Sequence, residues 1–171
     1  GARLITLSSI AHRMSPVRFD DMNYEQRDYD KWQAYGQAKS AQSLMAVELD
    51  RREKDNGIRA FSVHPGGIFT PLQRYLGNAE MAEFGWTDKE GRPSPVAEKL
   101  FKTTTQGCAT SLWAATATAL DNIGGVYCED CNVSEVVPDD SNAFTGVRQW
   151  AIDSEIAERT WAETDTLVAG L

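Results

Sequence analysis

The chain has 171 residues, 42% hydrophobic and 25% charged, with five Trp, five Tyr and six Phe, so one domain with a packed core is expected and disorder is excluded. A net charge of −8 repels phosphate backbones and anionic lipid, which sets nucleic acid and membrane surfaces aside as partners. No apolar run nears the roughly 18 residues of a spanning helix, no basic-then-apolar leader opens the sequence, and three Cys suit a reducing compartment, so a cytoplasmic protein is expected.

Residues 3–8 are β-branched or apolar with weak alternation and read as a core strand ending at Ser8-Ser9. A chain seldom begins so abruptly, at Gly1, and the sequence is expected to be the back part of something longer. After a polar, irregular stretch to about residue 29, Asp30 and Gln33 make a capping box for a long helix over 31–56 that Gly57 terminates. Ala34, Ala38, Ala41, Met45 and Leu49 form its apolar stripe, flanked by Leu44 and Val47. The run 58–64 predicts a second strand, stopped by Pro65-Gly66-Gly67. Strand, helix, strand is a right-handed parallel crossover, and the class is α/β. Residues 71–95 read as an ordered but irregular excursion, 96–120 as a second helix, 124–128 as a third strand, and the stretch from Trp150 to Val168 as an amphipathic helix. Neither an internal repeat nor a second domain is visible.

Ligands of an open parallel sheet sit beyond the carboxyl ends of its strands. Ser8-Ser9 and His64-Pro65-Gly66-Gly67 end two strands there, and the long helix brings Tyr35 and Lys39, four residues apart on one face, to the same rim. A free Tyr titrates near pH 10, and an adjacent cation lowers that value toward a usable acid or base. Ser9 is placed to hold the substrate oxygen in line. Ser8, His12 and His64 are expected to serve packing or loop hydrogen bonding. Cys128 and Cys131 have redox or zinc spacing, but with Cys108 the only other Cys they are assigned to strand packing.

Ser9, then Tyr35-Gly36-Gln37-Ala38-Lys39, then Pro65-Gly66 resemble, in order, the Ser, Tyr-x-x-x-Lys and Pro-Gly elements of the short-chain dehydrogenases/reductases. Leu7-Ser8-Ser9-Ile10-Ala11-His12 and Ser62-Val63-His64-Pro65-Gly66 resemble the retinol-dehydrogenase-like branch, and Gly124 to Cys131 resembles its late strand. The resemblance covers the second half of the family's fold and implies the C-terminal part of a Rossmann-like, doubly wound parallel sheet. It implies that Tyr35 donates the proton in carbonyl reduction, Lys39 holds the nicotinamide ribose, and Ser9 orients the substrate oxygen. Pro65, Gly66, Ile68 and Thr70 would line the nicotinamide of an NAD or NADP cofactor, with NADP favoured. Leu72, Leu76, Phe84 and Trp86 would line a pocket for a hydrophobic alcohol, ketone or aldehyde.

The T-G-x-x-x-G-x-G turn that cradles the pyrophosphate in that family, its Asn-Ala-Gly element and its catalytic Asn have no match in this sequence. An oxidoreductase that needs a front half is therefore expected, against the alternative of a non-catalytic fragment that associates with a partner chain through an open sheet edge. A homodimer through the helix 31–56 is a further expectation, its seam drawn around Trp32, Ser43, Leu44 and Ala46.

Overall fold

A computed structural model describes residues 1–170. Four strands, β1 (Ala2–Leu7), β2 (Ile58–His64), β3 (Val126–Glu129) and β4 (Asn132–Val133), form one sheet in that order, the first three parallel and the last antiparallel. β2 is covered on both faces, with Ala60 to Val63 all buried, as befits the centre of a parallel sheet. The expected α/β class and the parallel crossover stand.

Helix α1 (Lys31–Glu53) is that crossover. It starts where Asp30 accepts the Gln33 amide at 2.7 Å, and it ends through a 3-10 turn at Gly57, whose φ of +77° is left-handed. One side of α1 lies on the sheet. The other meets α6 (Ser154–Ala169), where Leu44, Val17 and Ala157 form a small core. This explains the apolar residues on more than one face, and it overturns the drawn subunit seam. Ser43, Leu44 and Ala46 are fully buried inside the chain, and Trp32 is covered by the chain's own Phe84.

The opposite sheet face carries Phe61, Val63 and Cys128 against Ala114 and Leu120. The helix expected over 96–120 is broken into α3 (Pro95–Leu100), α4 (Thr104–Gly107), α5 (Ala109–Thr116) and a 3-10 turn. One local and one tertiary cause act. A Thr103–Gln106 capping box restarts the helix, and Gly107 sits so close to Ile68 that a Cβ there would fall 2.1 Å from Ile68 Cδ1. Within the excursion lie a 3-10 turn over Pro71–Tyr75 and α2 (Asn78–Glu83). At the far end, the tail helix starts later than expected, where Asp153 caps α6, and a 3-10 turn over Gln149–Ala151 precedes it.

Candidate active site

Helix α1 is fastened to the end of β1 at one corner. Ser8 Oγ donates to the Lys39 carbonyl at 2.9 Å, Ser43 Oγ donates to Ser8 Oγ at 2.9 Å, and Lys39 Nζ donates to the Leu7 carbonyl at 2.8 Å. Ser8 is thus structural, as expected. Burial pulls the Lys39 ammonium below the usual lysine range. Its Nζ also donates to Gln42 Oε1 at 2.8 Å and lies 5.5 Å from the centroid of the Tyr35 ring, so the i, i+4 pair shares one face.

Ser9 follows at once and caps the 3-10 turn Ile10–Met14, its Oγ accepting the Ala11 amide at 3.2 Å. That bond uses a lone pair and leaves the hydroxyl proton available. Among the described residues no hydrogen bond joins Tyr35 to Ser9 directly; the two are brought to one corner through Lys39 and Leu7.

The Pro65-Gly66-Gly67 turn leaves β2 at the same sheet end, with Gly66 at φ +93°. Its glycines face the chain's own side chains. A Cβ on Gly66 would meet Lys102 Cδ at 2.8 Å, and one on Gly67 would meet the Phe101 ring at 2.7 Å. Lys102 is in turn ion-paired with Asp130. The Ile68 carbonyl accepts Gln73 Nε2 at 2.8 Å. The Thr70 hydroxyl is engaged in a capping box, where it accepts the Leu72 amide and its own amide reaches Gln73 Oε1 at 2.9 Å.

The apolar residues of the excursion divide. Phe84 and Trp86 join a row of rings with centroids 4.7 Å (Trp32–Phe84), 5.0 Å (Phe84–Trp86), 5.9 Å (Trp86–Phe101) and 4.7 Å (Phe69–Phe101) apart. Tyr35 extends it, 6.5 Å from Trp32. Leu76 is half-buried, whereas Leu72 is 69% exposed on its 3-10 turn, so the structure does not gather it with the rings. Trp32, Phe69, Phe101 and Lys102 belong to this corner and carry no periodic signal that would reveal them. Two surface hollows, one lined by Phe19, Asp20 and Met22 and the other by Ala79, Ala82 and Lys89, contain none of the expected catalytic residues.

Both imidazoles are neutral, burial driving each pKa down to about 4. Cys128 is buried in β3, where its thiol is pushed up to about 12, while Cys131 sits in the following turn at φ +55°. Among the described residues no group of His, Cys, Asp and Glu is placed to hold a metal ion, and no helix is long and apolar enough to cross a membrane.

No family model matches the chain. Individual proteins do. A Streptomyces lividans protein named as a probable oxidoreductase is 39% identical over 99% of this chain and 56% of its own length. The short-chain dehydrogenase/reductase prx1 of Penicillium roqueforti is 36% identical over 94% of this chain and 45% of its own, and mouse retinol dehydrogenase 12 is 33% identical over 94% and 47%. A solved structure of an uncharacterized Mycobacterium paratuberculosis protein superposes at TM-score 0.60 with 25% identity, covering 96% of this chain and 49% of that one. The chain spans about half the length of the relatives it matches. Named dehydrogenases are thus among the relatives that align over nearly all of the chain, which is similar along its length to the C-terminal half of short-chain dehydrogenases/reductases.

Proposed function

We propose that this chain carries the proton-transfer corner of an NAD(P)-dependent oxidoreductase that interconverts a hydrophobic alcohol and its ketone or aldehyde. The observation that carries the reading is the Lys39 ammonium, held at 2.8 Å on the Leu7 carbonyl beside Tyr35 and two residues before Ser9. A nicotinamide dinucleotide supplies a hydride to the carbonyl carbon when bound. In reduction, Tyr35 Oη gives its proton to the carbonyl oxygen, and in oxidation it takes that proton back. Ser9, whose Oγ proton is free, donates to the same oxygen and aligns it. Of the three protons on Lys39 Nζ, two have protein acceptors, and the third is available for a ribose hydroxyl.

The fit to the cofactor is one-sided. The half-buried ammonium and the left-handed Gly66 suit the ribose and nicotinamide end, with Pro65, Gly66 and Ile68 as its wall. Thr70 reaches the carboxamide only by leaving its capping box. The sequence has no Gly-rich turn for the pyrophosphate. NADP is favoured over NAD by the resemblance to the retinol-dehydrogenase-like branch. The ring row from Tyr35 to Phe69 supports a hydrophobic substrate, with Leu76, Phe84 and Trp86 as pocket residues and Leu72 reaching it only by inward movement.

One observation favours the rival reading for the chain taken alone. Lys102 and Phe101 lie against Gly66 and Gly67, the face the cofactor would use, as in a fragment that associates without binding a dinucleotide. NADPH titration separates the two readings. Measurable affinity, with turnover that Tyr35→Phe abolishes while the circular dichroism stays unchanged, supports the oxidoreductase. An active Tyr35→Phe protein overturns it, and absent affinity supports the associating fragment.

A further inference from the structure

His12 is fully buried three residues after Ser9, and no step of the reaction proposed above uses it. Its Nδ1 lies 2.8 Å from the Ser9 carbonyl oxygen, and its Nε2 lies 3.0 Å from the Arg148 amide nitrogen. An amide N–H can only donate, so Nε2 must be the bare, accepting nitrogen. A carbonyl oxygen can only accept, so Nδ1 must carry the proton. Two backbone groups from distant parts of the chain thus select one tautomer.

The residue's own carbonyl accepts Ser40 Oγ at 3.0 Å and, more loosely, Trp150 Nε1 at 3.4 Å. Ser40 follows Lys39 on α1 and is itself fully buried. The imidazole packs on the Tyr127 ring of β3 with centroids 5.0 Å apart. One residue therefore ties the end of β1, the catalytic turn of α1 and β3 into a single body.

We propose that His12 is a positioning residue for the Ser9–Tyr35–Lys39 group, its Nδ1–H fixing the Ser9 backbone against α1 so that Ser9 Oγ stays in line with Tyr35. This rests on the oxidoreductase reading. Misplacement of a reacting group by about 1 Å costs on the order of a hundredfold in rate, so a bond that sets the Ser9 main chain acts on kcat more than on KM.

Two substitutions separate the two ring nitrogens. In His12→Asn the amide nitrogen takes the place of Nδ1 and keeps the donation to Ser9. In His12→Gln the amide oxygen takes the place of Nε2, keeps the Arg148 bond and loses the Ser9 bond. In the intact enzyme, His12→Gln is expected to lower kcat by about tenfold or more with KM within about threefold, while His12→Asn keeps kcat within about threefold. Nitrogen NMR of the unsubstituted protein at neutral pH is expected to show His12 protonated on Nδ1, and this holds whether or not the variants fold.

Equal kcat in the Gln variant and the parent, equal losses in both variants, or an Nε2-protonated His12 overturns the proposal. If the parent enzyme turns over and Tyr35→Phe silences it, such a result removes only the role of His12. A parent protein without dinucleotide-dependent turnover overturns the oxidoreductase reading, and the role of His12 with it.

Discussion

The Lys39 ammonium donates to the carbonyl oxygen of Leu7, the last residue of β1, at 2.8 Å. That bond makes one side chain both a brace between helix and strand and the cation of the candidate site. Lys39→Met keeps the alkyl stem and removes both. NADPH affinity is expected to fall about tenfold, which is about 1.4 kcal/mol, and turnover about a hundredfold. Isothermal titration and initial rates check the two numbers separately.

Asp50 anchors the far end of the same helix. Its carboxylate takes Arg59 Nε at 2.8 Å, Arg59 Nη2 at 2.9 Å and the Ala60 amide at 3.0 Å, while Gly124 passes so close that a Cβ there would fall 1.9 Å from Asp50 Oδ1. Asp50→Ala leaves a guanidinium and a buried amide without a partner. A loss of about 3 kcal/mol in a urea titration is expected, with Gly124→Ala comparably damaging.

Acid should weaken the fold within a defined window. His12 and His64 have folded pKa values lowered by burial from 6.5 to about 4, with Arg13 beside both rings, Arg148 beside His12, and Lys102 and Asp130 beside His64. Between those two values the unfolded chain binds protons that the folded chain refuses. Stability is therefore full above about pH 6.5, declines as the pH falls toward 4, and changes no further on their account below it. For His12 the loss is about 3 kcal/mol. Urea midpoints that do not change between pH 7 and pH 4.5 would contradict this.

Glu80 ties the excursion to the first turn of α1, accepting Trp32 Nε1 at 3.0 Å and pairing with Lys31 Nζ at 2.6 Å. The bridge is partly exposed, so its energy is modest. Glu80→Ala should loosen the ring row with little effect on kcat. The expected outcome is a two- to fivefold rise in KM for a bulky apolar substrate, on the order of 1 kcal/mol or less, with a red shift in tryptophan fluorescence.

Local signals explain what the sequence made legible. The run at 58–64 lies between Gly57 and Pro65, and β2 has those bounds; Asp30 and Gly57 delimit α1 and its terminal 3-10 turn as their capping chemistry demands. The Tyr35–Lys39 face follows from helical spacing alone. The break at 101–108 did not stand out, because the closeness of Gly107 to Ile68 is a tertiary fact, although Thr103-x-x-Gln106 offered a local hint. The bonds from His12 to Arg148 and from Trp32 to Glu80 span 136 and 48 residues, and no periodicity reports contacts at that range.

Ala2 pairs with Ile58, and Phe61 with Val126. At the usual synthesis rates of about 5–20 residues per second, β1 emerges roughly 3 to 11 seconds before the β2 residues it pairs with here. β2 then waits again for β3. Each parallel pair must close a long loop before any ladder bond repays the entropy, which slows folding. During that delay the β1–β2 ladder cannot form, and the long helix between the two strands, whose backbone hydrogen bonds are local, can be made first.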